Sequence, residues 1–335
     1  MRFDDAKKQA IIIYLLEKVE QNAPGISKAV SETFSVNQNT IHTYINELVD
    51  ANVIRRVKRG QYELITRHCE YTLSREKGEL DSDLYAYDHC MAPYLKEFAV
   101  NIRDIWSYTF SEMINNVMDH SRSERVRIRI DQDYLKTRAS ILDDGVGIFK
   151  KIKEYFGFAT LDEAICELFK GKLTTDSHNH SGEGIFFTSK LMDEFFIVSS
   201  GKVFSNNRFD QSDITSFTEA AFSGTGVFMA LSNHSQKRPK DVFDLYSNED
   251  GRFSKTRIPL KNMFDSSPVS RSQAKRVCNR LEGFQEVILD FDGIQWMGQG
   301  FAHQLFHVFA SEHPEIRLNP VNMSEDVRKM YVHVS

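Results

Sequence analysis

Arg138-Ala-Ser-Ile-Leu-Asp-Asp-Gly-Val-Gly147 runs from a predicted strand straight into an acidic bend that contains two glycines. Phe110-Ser-Glu-Met-Ile-Asn-Asn-Val-Met-Asp-His120 precedes it, and Ser181-Gly-Glu-Gly-Ile185 and Gly224-Thr-Gly-Val227 follow it. Each of these segments alone is a common pattern. Their order, with a suitable strand, loop or helix context each time, predicts one pocket built from four segments.

The helix that precedes the acidic bend carries polar side chains four residues apart. Glu112, Asn116 and His120 share one helix face, because steps of four residues return to the same side of a helix. An amide oxygen from Asn116, together with phosphate oxygens and waters, suits the oxygen coordination that Mg²⁺ prefers. A carboxylate one turn earlier, at Glu112, can polarise a water for attack on a terminal phosphate.

The acidic bend itself suits a purine. An ionised Asp143 only accepts hydrogen bonds, so it can bind the exocyclic amino group of adenine. Gly145 and Gly147 permit a close approach of the backbone and a positive φ. These residues predict that the base of a nucleotide binds at the end of this strand.

The second glycine pair suits the phosphates. Gly182 and Gly184 precede a predicted apolar helix, and the free N–H groups at a helix start can hold phosphate oxygens. The polar loop 171–181 is predicted to close over the triphosphate as a lid, with Lys172 near the phosphates. A P-loop is excluded, because Gly171-Lys172 is followed by Leu173 and not by Ser or Thr.

Residues from about 90 to 232 resemble the GHKL ATP-binding fold of gyrase, a heat-shock chaperone family, MutL and histidine kinases. The resemblance implies an α/β sandwich that binds ATP and Mg²⁺. Glu112 is closer to the ATPase and anti-sigma-kinase branches than to many histidine kinases, and the second glycine box is shortened. The positions that match the family motifs are Glu112, Asn116, His120, Asp143, Gly145, Gly147, Gly182, Gly184 and the late threonine Thr225.

The first 66 residues carry a different pattern. Helices are predicted over 4–21 and 26–34, and Asn37 is predicted to cap a third helix. A β-hairpin that turns near Gly60 follows. The third helix presents polar side chains that can hydrogen-bond base edges or phosphates, and the hairpin carries four cations. These residues are Gln38, Asn39, His42, Thr43 and Asn46 on the helix, and Arg55, Arg56, Lys58 and Arg59 on the hairpin.

Three helices followed by a basic hairpin resemble a winged helix-turn-helix of bacterial transcription regulators, which implies duplex DNA as a partner. Residues 1–66 contain nine Lys or Arg and eight Asp or Glu, a balance of only +1. Two copies in a homodimer, or cations concentrated on the hairpin, can supply enough phosphate contacts. A module that contacts only proteins is the alternative.

The C-terminal residues predict a small α/β domain. A helix at 270–281, a buried strand at 286–292, an apolar helix at 301–310, a strand at 316–319 and a helix at 324–331 alternate along the chain. This order resembles a STAS-like domain, related in outline to anti-anti-sigma factors. The loop Met297-Gly-Gln-Gly300 lacks the phosphorylatable serine of those factors, which favours an interaction or dimerisation domain that binds a protein partner.

Composition limits the remaining possibilities. The net charge of −5 gives no overall attraction to nucleic acid, and 41% hydrophobic residues are typical of a globular protein. Four cysteines without Cys-x-x-Cys pairing indicate reduced thiols. The apolar run Ala10–Leu16 is too short for a membrane span. We therefore expect a cytoplasmic protein without a membrane partner.

Together these patterns predict a multidomain α+β protein. The expected parts are a winged helix-turn-helix (1–66), a linker or start of the core (67–90), a GHKL α/β sandwich (91–232), a connector (233–262) and a STAS-like domain (263–335). The predicted function is an ATP-responsive, DNA-binding transcription regulator with slow ATP hydrolysis. The alternatives are an anti-sigma-type protein serine kinase that acts on a separate partner, and an ATP-gated assembly protein in stress or phage defence.

Overall fold

A computed structural model describes residues 5–173, 182–205, 224–264 and 266–334. Helices and sheets are mixed in the chain, as predicted for an α+β protein. The α-helices are α1 Asp5–Glu20, α2 Ile26–Phe34, α3 Gln38–Asp50, α4 Asp83–Ala86, α5 Val100–Asn116, α6 Ile148–Phe156, α7 Leu161–Lys170, α8 Gly184–Leu191, α9 Pro239–Tyr246, α10 Leu260–Met263, α11 Arg271–Cys278, α12 Gln299–Ala302, α13 Ala310–Glu312 and α14 Glu325–Val334.

Three sheets occur among the described residues. One pairs β1 with β2, a second has the order β3-β4-β5-β8-β6-β7, and a third has the order β11-β10-β9. The strands are β1 Ile54–Lys58, β2 Gln61–Leu64, β3 Arg67–Ser74, β4 Arg125–Gln132, β5 Lys136–Asp143, β6 Glu194–Ser199, β7 Lys202–Ser205, β8 Thr225–Ser232, β9 Lys255–Pro259, β10 Glu286–Asp290 and β11 Arg317–Val321.

The chain divides into two compact units. The first comprises Met1–Glu70, Arg129–Ala139 and Ala230–Ser235, and the second comprises Tyr71–Ile128, Ser140–Met229 and Gln236–Ser335. The first unit is therefore larger than the predicted N-terminal domain 1–66, because two later segments of the chain pack with it.

The first unit contains α1 to α3 and the antiparallel hairpin β1–β2. The predicted cap of α3 is confirmed, since the side chain of Asn37 accepts a hydrogen bond from Asn39 N at 2.8 Å. On α1 the buried stripe consists of Ile11, Leu15, Leu16 and Val19. Leu135, from the turn between β4 and β5, is buried in the same core.

Polar contacts also join this turn to the helices of the first unit. Arg138 donates to Glu20 at 3.0 Å and to Asp133 at 2.7 Å. Gln9 Nε2 donates to the hydroxyl of Tyr134 at 3.1 Å. The turn thus contributes both apolar packing and hydrogen bonds, which explains why it belongs to this unit.

In the second unit, two short helical turns precede α5. The backbone forms a π-helical turn at Tyr87–Met91 and a 3₁₀ turn at Ala92–Tyr94 before α5 starts at Val100. Pro93 lies in this 3₁₀ turn and lacks an N–H, so it cannot donate a helical hydrogen bond there. A second π-helical turn, Val117–Ser121, ends α5.

Strands β9, β10 and β11 form a parallel sheet in the second unit. We call residues 253–334 the C-terminal module. The predicted connector 233–262 contains helix α9 and strand β9, and β9 pairs with β10 along its whole length. Likewise the predicted linker 67–90 contains β3, an edge strand of the large sheet. Both segments belong to folded sheets, because backbone pairing to distant strands satisfies their hydrogen bonds.

None of the helices among the described residues is both long and apolar enough to span a bilayer.

Candidate functional site

A cavity of about 240 Å³ lies in the second unit. This volume is just below the range of roughly 300–1,000 Å³ that is usual for small-molecule sites. All four sequence segments contribute to its wall. The predicted site residues that line it are Glu112, Asn116, His120, Asp143, Gly147, Gly182, Gly184 and Thr225.

Helices α5 and α8 meet at Glu112 and Gly184. A Cβ placed on Gly184 would lie 2.0 Å from Oε2 of Glu112 and 2.9 Å from its carboxyl carbon. Only glycine leaves room for this carboxylate at the start of α8. The two predicted motifs therefore touch directly, and the carboxylate of Glu112 lies beside the N-terminus of α8.

Asp143 ends strand β5 inside the cavity wall. Its side chain is only 6% exposed, and its Oδ1 accepts a hydrogen bond from Gly145 N at 2.8 Å. Burial raises the pKa of Asp143 from 3.8 to about 6, and hydrogen bonds from the backbone of Gly145 and Thr225 partly oppose this rise. The carboxylate is ionised at neutral pH and offers acceptor oxygens to a ligand.

Strand β8 supplies the opposite side of the acidic bend. The hydroxyl of Thr225 accepts a hydrogen bond from Ile148 N at 3.0 Å, and Ser199 Oγ donates to Gly224 O at 2.7 Å. A Cβ on Gly224 would lie 2.2 Å from Asp143 O. The bend and β8 are thus in backbone contact, which positions Thr225 next to Asp143.

Gly145 has a structural role outside the cavity wall. A Cβ at this position would lie 2.0 Å from Ser121 O, so the bend packs directly against the π-helical turn that follows α5. Gly147, with φ of +81°, lines the cavity and precedes α6. A Cβ at Gly147 would lie 2.8 Å from Ser199 Oγ, so both glycines of this motif permit close packing, and Gly147 also permits the positive φ of the turn.

Lys151 lines the cavity and was not among the predicted site residues. Its Nζ lies 3.1 Å from His120 Nδ1 and donates to His120 O at 3.1 Å. Lys151 stands three residues after the cavity-lining Ile148, so helical spacing along α6 is the signal that could have identified it. This lysine supplies a cation to the cavity.

Lys172, predicted to lie near the phosphates, is directed elsewhere. Its Nζ donates to Gly283 O at 2.6 Å and lies 4.7 Å from the ring centroid of Phe284. The residue has a positive φ of 54°, which turns its side chain towards the C-terminal module. The rest of the predicted lid, 174–181, lies outside the described residues.

The side chains that line the cavity fit a metal ion that is bound mainly by the phosphates of a nucleotide better than one held by protein side chains alone. The described residues contain no group of three or more His, Cys, Asp or Glu side chains that could hold a metal ion. Mg²⁺ is often bound by few protein oxygens together with substrate phosphates and waters. Asn116, which lines the cavity, would supply such an oxygen.

The candidate DNA-contact residues are all exposed on the first unit. Arg55 donates to Glu63 at 2.7 Å and 2.9 Å, and Arg56 donates to Asn46 at 2.7 Å. Lys58 and Arg59, at the tip of the hairpin, form no ion pair with the part of the chain that the structure describes. Among the four cations of the hairpin, Lys58 and Arg59 therefore have no side-chain partner within the described residues. The exposed set is Gln38, Asn39, His42, Thr43, Asn46, Arg55, Arg56, Lys58 and Arg59.

The loop before α12 approaches the backbone of Val269 closely. A Cβ on Gly298 would lie 2.6 Å from Val269 O. Ser270 caps α11 through a capping box with Gln273. Its hydroxyl thus stabilises the start of α11.

Comparison with known families supports one part of the chain. Residues 273–328 match a family described as a STAS-like domain of unknown function (DUF4325). This match lies within the predicted domain 263–335 and confirms that a STAS-like domain is present at the C-terminus. A search of curated proteins finds no significant match to the chain.

Proposed function

We propose that this protein is an ATP-binding regulator of the GHKL type, with a DNA-binding winged helix at its N-terminus and a STAS-like module that binds a protein partner. The observation that carries the proposal is the convergence of four ordered sequence motifs on one cavity. Among the residues that line it are an ionisable acceptor, Asp143, an amide, Asn116, and a cation, Lys151. These are the groups that a purine, Mg²⁺ and phosphates require.

In this proposal the adenine amino group donates to Asp143, and Thr225 stands beside it. The N-terminus of α8 at Gly184, with Lys151, receives the phosphates, since free helical N–H groups and a cation both favour negative charge. Lys151 takes the place that the sequence suggested for Lys172, because the ammonium of Lys172 is held by Gly283 O.

Slow hydrolysis is assigned to Glu112. Its carboxylate takes a proton from water, the water oxygen bonds to the terminal phosphorus, and the bond from that phosphorus to the bridging oxygen breaks to leave ADP and phosphate. A positioned general base typically contributes about 10²–10⁴-fold to a rate. Slow turnover of this kind resets a switch between ATP-bound and free states.

The proposed output is DNA binding by a homodimer. Exposed polar side chains on α3 and the hairpin-tip cations Lys58 and Arg59 supply base and phosphate contacts. ATP binding and DNA binding are linked through the arrangement of two chains, and couplings of this kind typically amount to about 1–3 kcal/mol.

Calorimetric titration with ATP·Mg²⁺, repeated with duplex DNA present, tests the proposal. We expect saturable binding of one ATP per chain and an affinity that changes with DNA. ATP binding without any change on adding DNA would reject the regulator and favour an ATP-gated assembly protein. Transfer of radiolabel from ATP to a protein in cell extract would instead support the protein serine kinase. Absence of ATP binding would reject all three.

Replacing Glu112 separates binding from turnover. Glu112→Gln keeps the shape of the side chain but removes its basicity, so we expect ATP hydrolysis to fall by about 10²–10⁴-fold while ATP affinity changes little. Steady-state phosphate release and calorimetry measure the two quantities. Glu154→Gln, on an exposed carboxylate of α6 outside the cavity wall, serves as the control and should hydrolyse ATP normally. Unchanged turnover in Glu112→Gln contradicts the assignment.

Removing the hairpin-tip cations should weaken DNA binding. The double variant Lys58→Ala with Arg59→Ala loses two phosphate contacts per chain, or four per homodimer, so the slope of log affinity against log salt should decrease by about 3.6. Fluorescence anisotropy at several salt concentrations measures this slope. Lys8→Ala with Lys18→Ala removes the same charge from α1 and should leave the slope unchanged. Equal slopes for all three proteins would argue that the hairpin does not touch DNA.

A further inference from the structure

A buried ion pair lies at the end of α7, next to the cavity wall. Lys170 and Glu167 are only 1% and 3% exposed, and Lys170 Nζ donates to Glu167 Oε1 at 2.6 Å. The same ammonium donates to Arg276 O at 2.9 Å and to Asn279 O at 2.6 Å. All three donors of the ammonium are therefore used, and two of them bind carbonyls at the end of α11 in the C-terminal module.

The C-terminal module also completes the hydrogen bonding of Glu167. Asn279 Nδ2 donates to Glu167 Oε1 at 3.1 Å, and Arg280 Nε lies 3.6 Å from Glu167 Oε2. Thr256 Oγ1, on β9, donates to Lys170 O at 2.7 Å. A charge buried at this depth is stable only when fully paired and hydrogen-bonded. The pair therefore depends on groups that the module supplies.

The next residue along the chain is part of the cavity wall. Gly171 lines the cavity with a φ of +82°, and a Cβ there would lie 2.8 Å from the ring of Phe253. Phe253 contacts Phe186, another cavity-lining residue, with ring centroids 4.8 Å apart. Phe253 also contacts Phe284 at 5.4 Å. This part of the wall thus rests on aromatic rings of the C-terminal module.

Lys172 also forms hydrogen bonds with the C-terminal module. Its ammonium is bound to Gly283 O, and its own carbonyl accepts a hydrogen bond from Arg280 at 3.3 Å. Three successive residues, 170 to 172, are therefore held by groups between 253 and 284. These contacts lie outside the four sequence motifs, whereas the next residue, Leu173, donates its N–H to Gly182 O at 3.0 Å within one of them.

We propose that the C-terminal module is a positioning element of the cavity: its Asn279 and the end of α11 hold the Lys170–Glu167 pair, and through it the wall at Gly171. This gives the STAS-like module a role within its own chain, in addition to any partner. The inference deepens the proposed function and rests on it where nucleotide affinity is concerned. Because coupling between two sites is reciprocal, nucleotide binding should in turn stabilise the part of the C-terminal module that contacts the cavity wall.

Asn279→Ala in the full chain tests the proposal, since it removes one amide donor and keeps the ion pair. We expect amide hydrogen exchange over 168–173 to become about tenfold faster, the effect of losing one hydrogen bond to a charged group. The dissociation constant for ATP·Mg²⁺ should rise by about tenfold. Lys172→Met removes the hydrogen bond to Gly283 O. It should likewise speed exchange over 168–173 and raise the dissociation constant. In the native protein, ATP should slow exchange over 276–284.

Asn262→Ala is the matched control. Its amide, also in the C-terminal module, donates to Ser205 O at 3.0 Å and not to a residue next to the cavity. Faster exchange over 168–173 in Asn279→Ala but not in Asn262→Ala supports the proposal. Equal effects in both variants, or no effect in Asn279→Ala and Lys172→Met, overturn it. Exchange needs no ligand, so a protein that binds no ATP but shows the selective change would refute the proposed function alone.

Discussion

Asp143→Asn should lower the affinity for ATP·Mg²⁺ by about 10- to 100-fold. The substitution conserves shape, but it replaces an oxygen that accepts a hydrogen bond with an amide group that donates one. When this new donor faces the adenine amino group, two donors oppose each other and the hydrogen bond to a charged acceptor is lost. Such a bond is typically worth about 1.5–3 kcal/mol. Calorimetry at pH 7.5 measures the change. Asp144→Asn is the control, because Asp144 accepts from Ser123 and does not line the cavity.

The pH dependence gives a second signature of Asp143. Burial raises its pKa to about 6, so lowering the pH below this value protonates the carboxyl and should weaken ATP binding. The free energy of unfolding of the ligand-free protein should instead increase as the pH is lowered. Between pH 3.8 and about 6 the folded protein binds a proton that the unfolded chain releases, so the free energy of unfolding falls as pH rises.

Asp143→Asn should remove both of these pH effects. Measuring ATP affinity and urea stability from pH 5 to 8 in the native protein and the variant isolates this carboxyl from the phosphates, which titrate equally in both. If the two proteins show the same dependence of affinity on pH, adenine is not bound by Asp143, and the proposed pocket is wrong.

Gly224→Ala should destabilise the fold by about 4 kcal/mol or more. The new Cβ would lie 2.2 Å from Asp143 O and 2.8 Å from Gly145 N. Both are backbone atoms in the acidic bend, so relief requires the bend and β8 to separate. Overpacking typically costs about 1–3 kcal/mol, and a non-glycine residue at the positive φ of Gly224 adds about 1–3 kcal/mol.

Gly157→Ala separates the two contributions to this loss. Gly157 also has a positive φ, of +70°, but nothing lies within 4 Å of a Cβ placed there. We expect this variant to lose only about 1 kcal/mol, from backbone strain alone. Urea denaturation of both variants measures the difference. Similar losses in the two variants would show that β8 does not pack against the acidic bend as described.

Patterns of neighbouring residues predicted much of the first unit and part of the site. The spacing of apolar residues predicts α1 to α3, Asn37 predicts the start of α3, and Gly60 predicts the hairpin turn. Steps of four residues likewise predict that Glu112 and Asn116 share a helix face. These features depend on neighbours within a few residues, which the sequence displays directly.

Local sequence patterns did not predict which lysine side chain lines the cavity. Lys172 stands next to a glycine in a polar loop, which is typical of phosphate contact, yet Gly283 and Phe284 hold its ammonium. Lys151 follows the acidic bend on an ordinary amphipathic helix, yet it lines the cavity. A long flexible side chain can reach several sites, and only the surrounding packing decides between them.

The sequence alone determined which chemical groups are available at the cavity, where α1, α2, α11 and α14 begin and end to within a few residues, and that a STAS-like module follows. Tertiary structure decided that β9 and β3 belong to sheets and that Lys170, Glu167 and Asn279 form one buried network. The reason is physical. Helix propensity and capping act over a few residues, whereas strand pairing and burial of charge join residues up to about a hundred positions apart, a relation that no local pattern encodes.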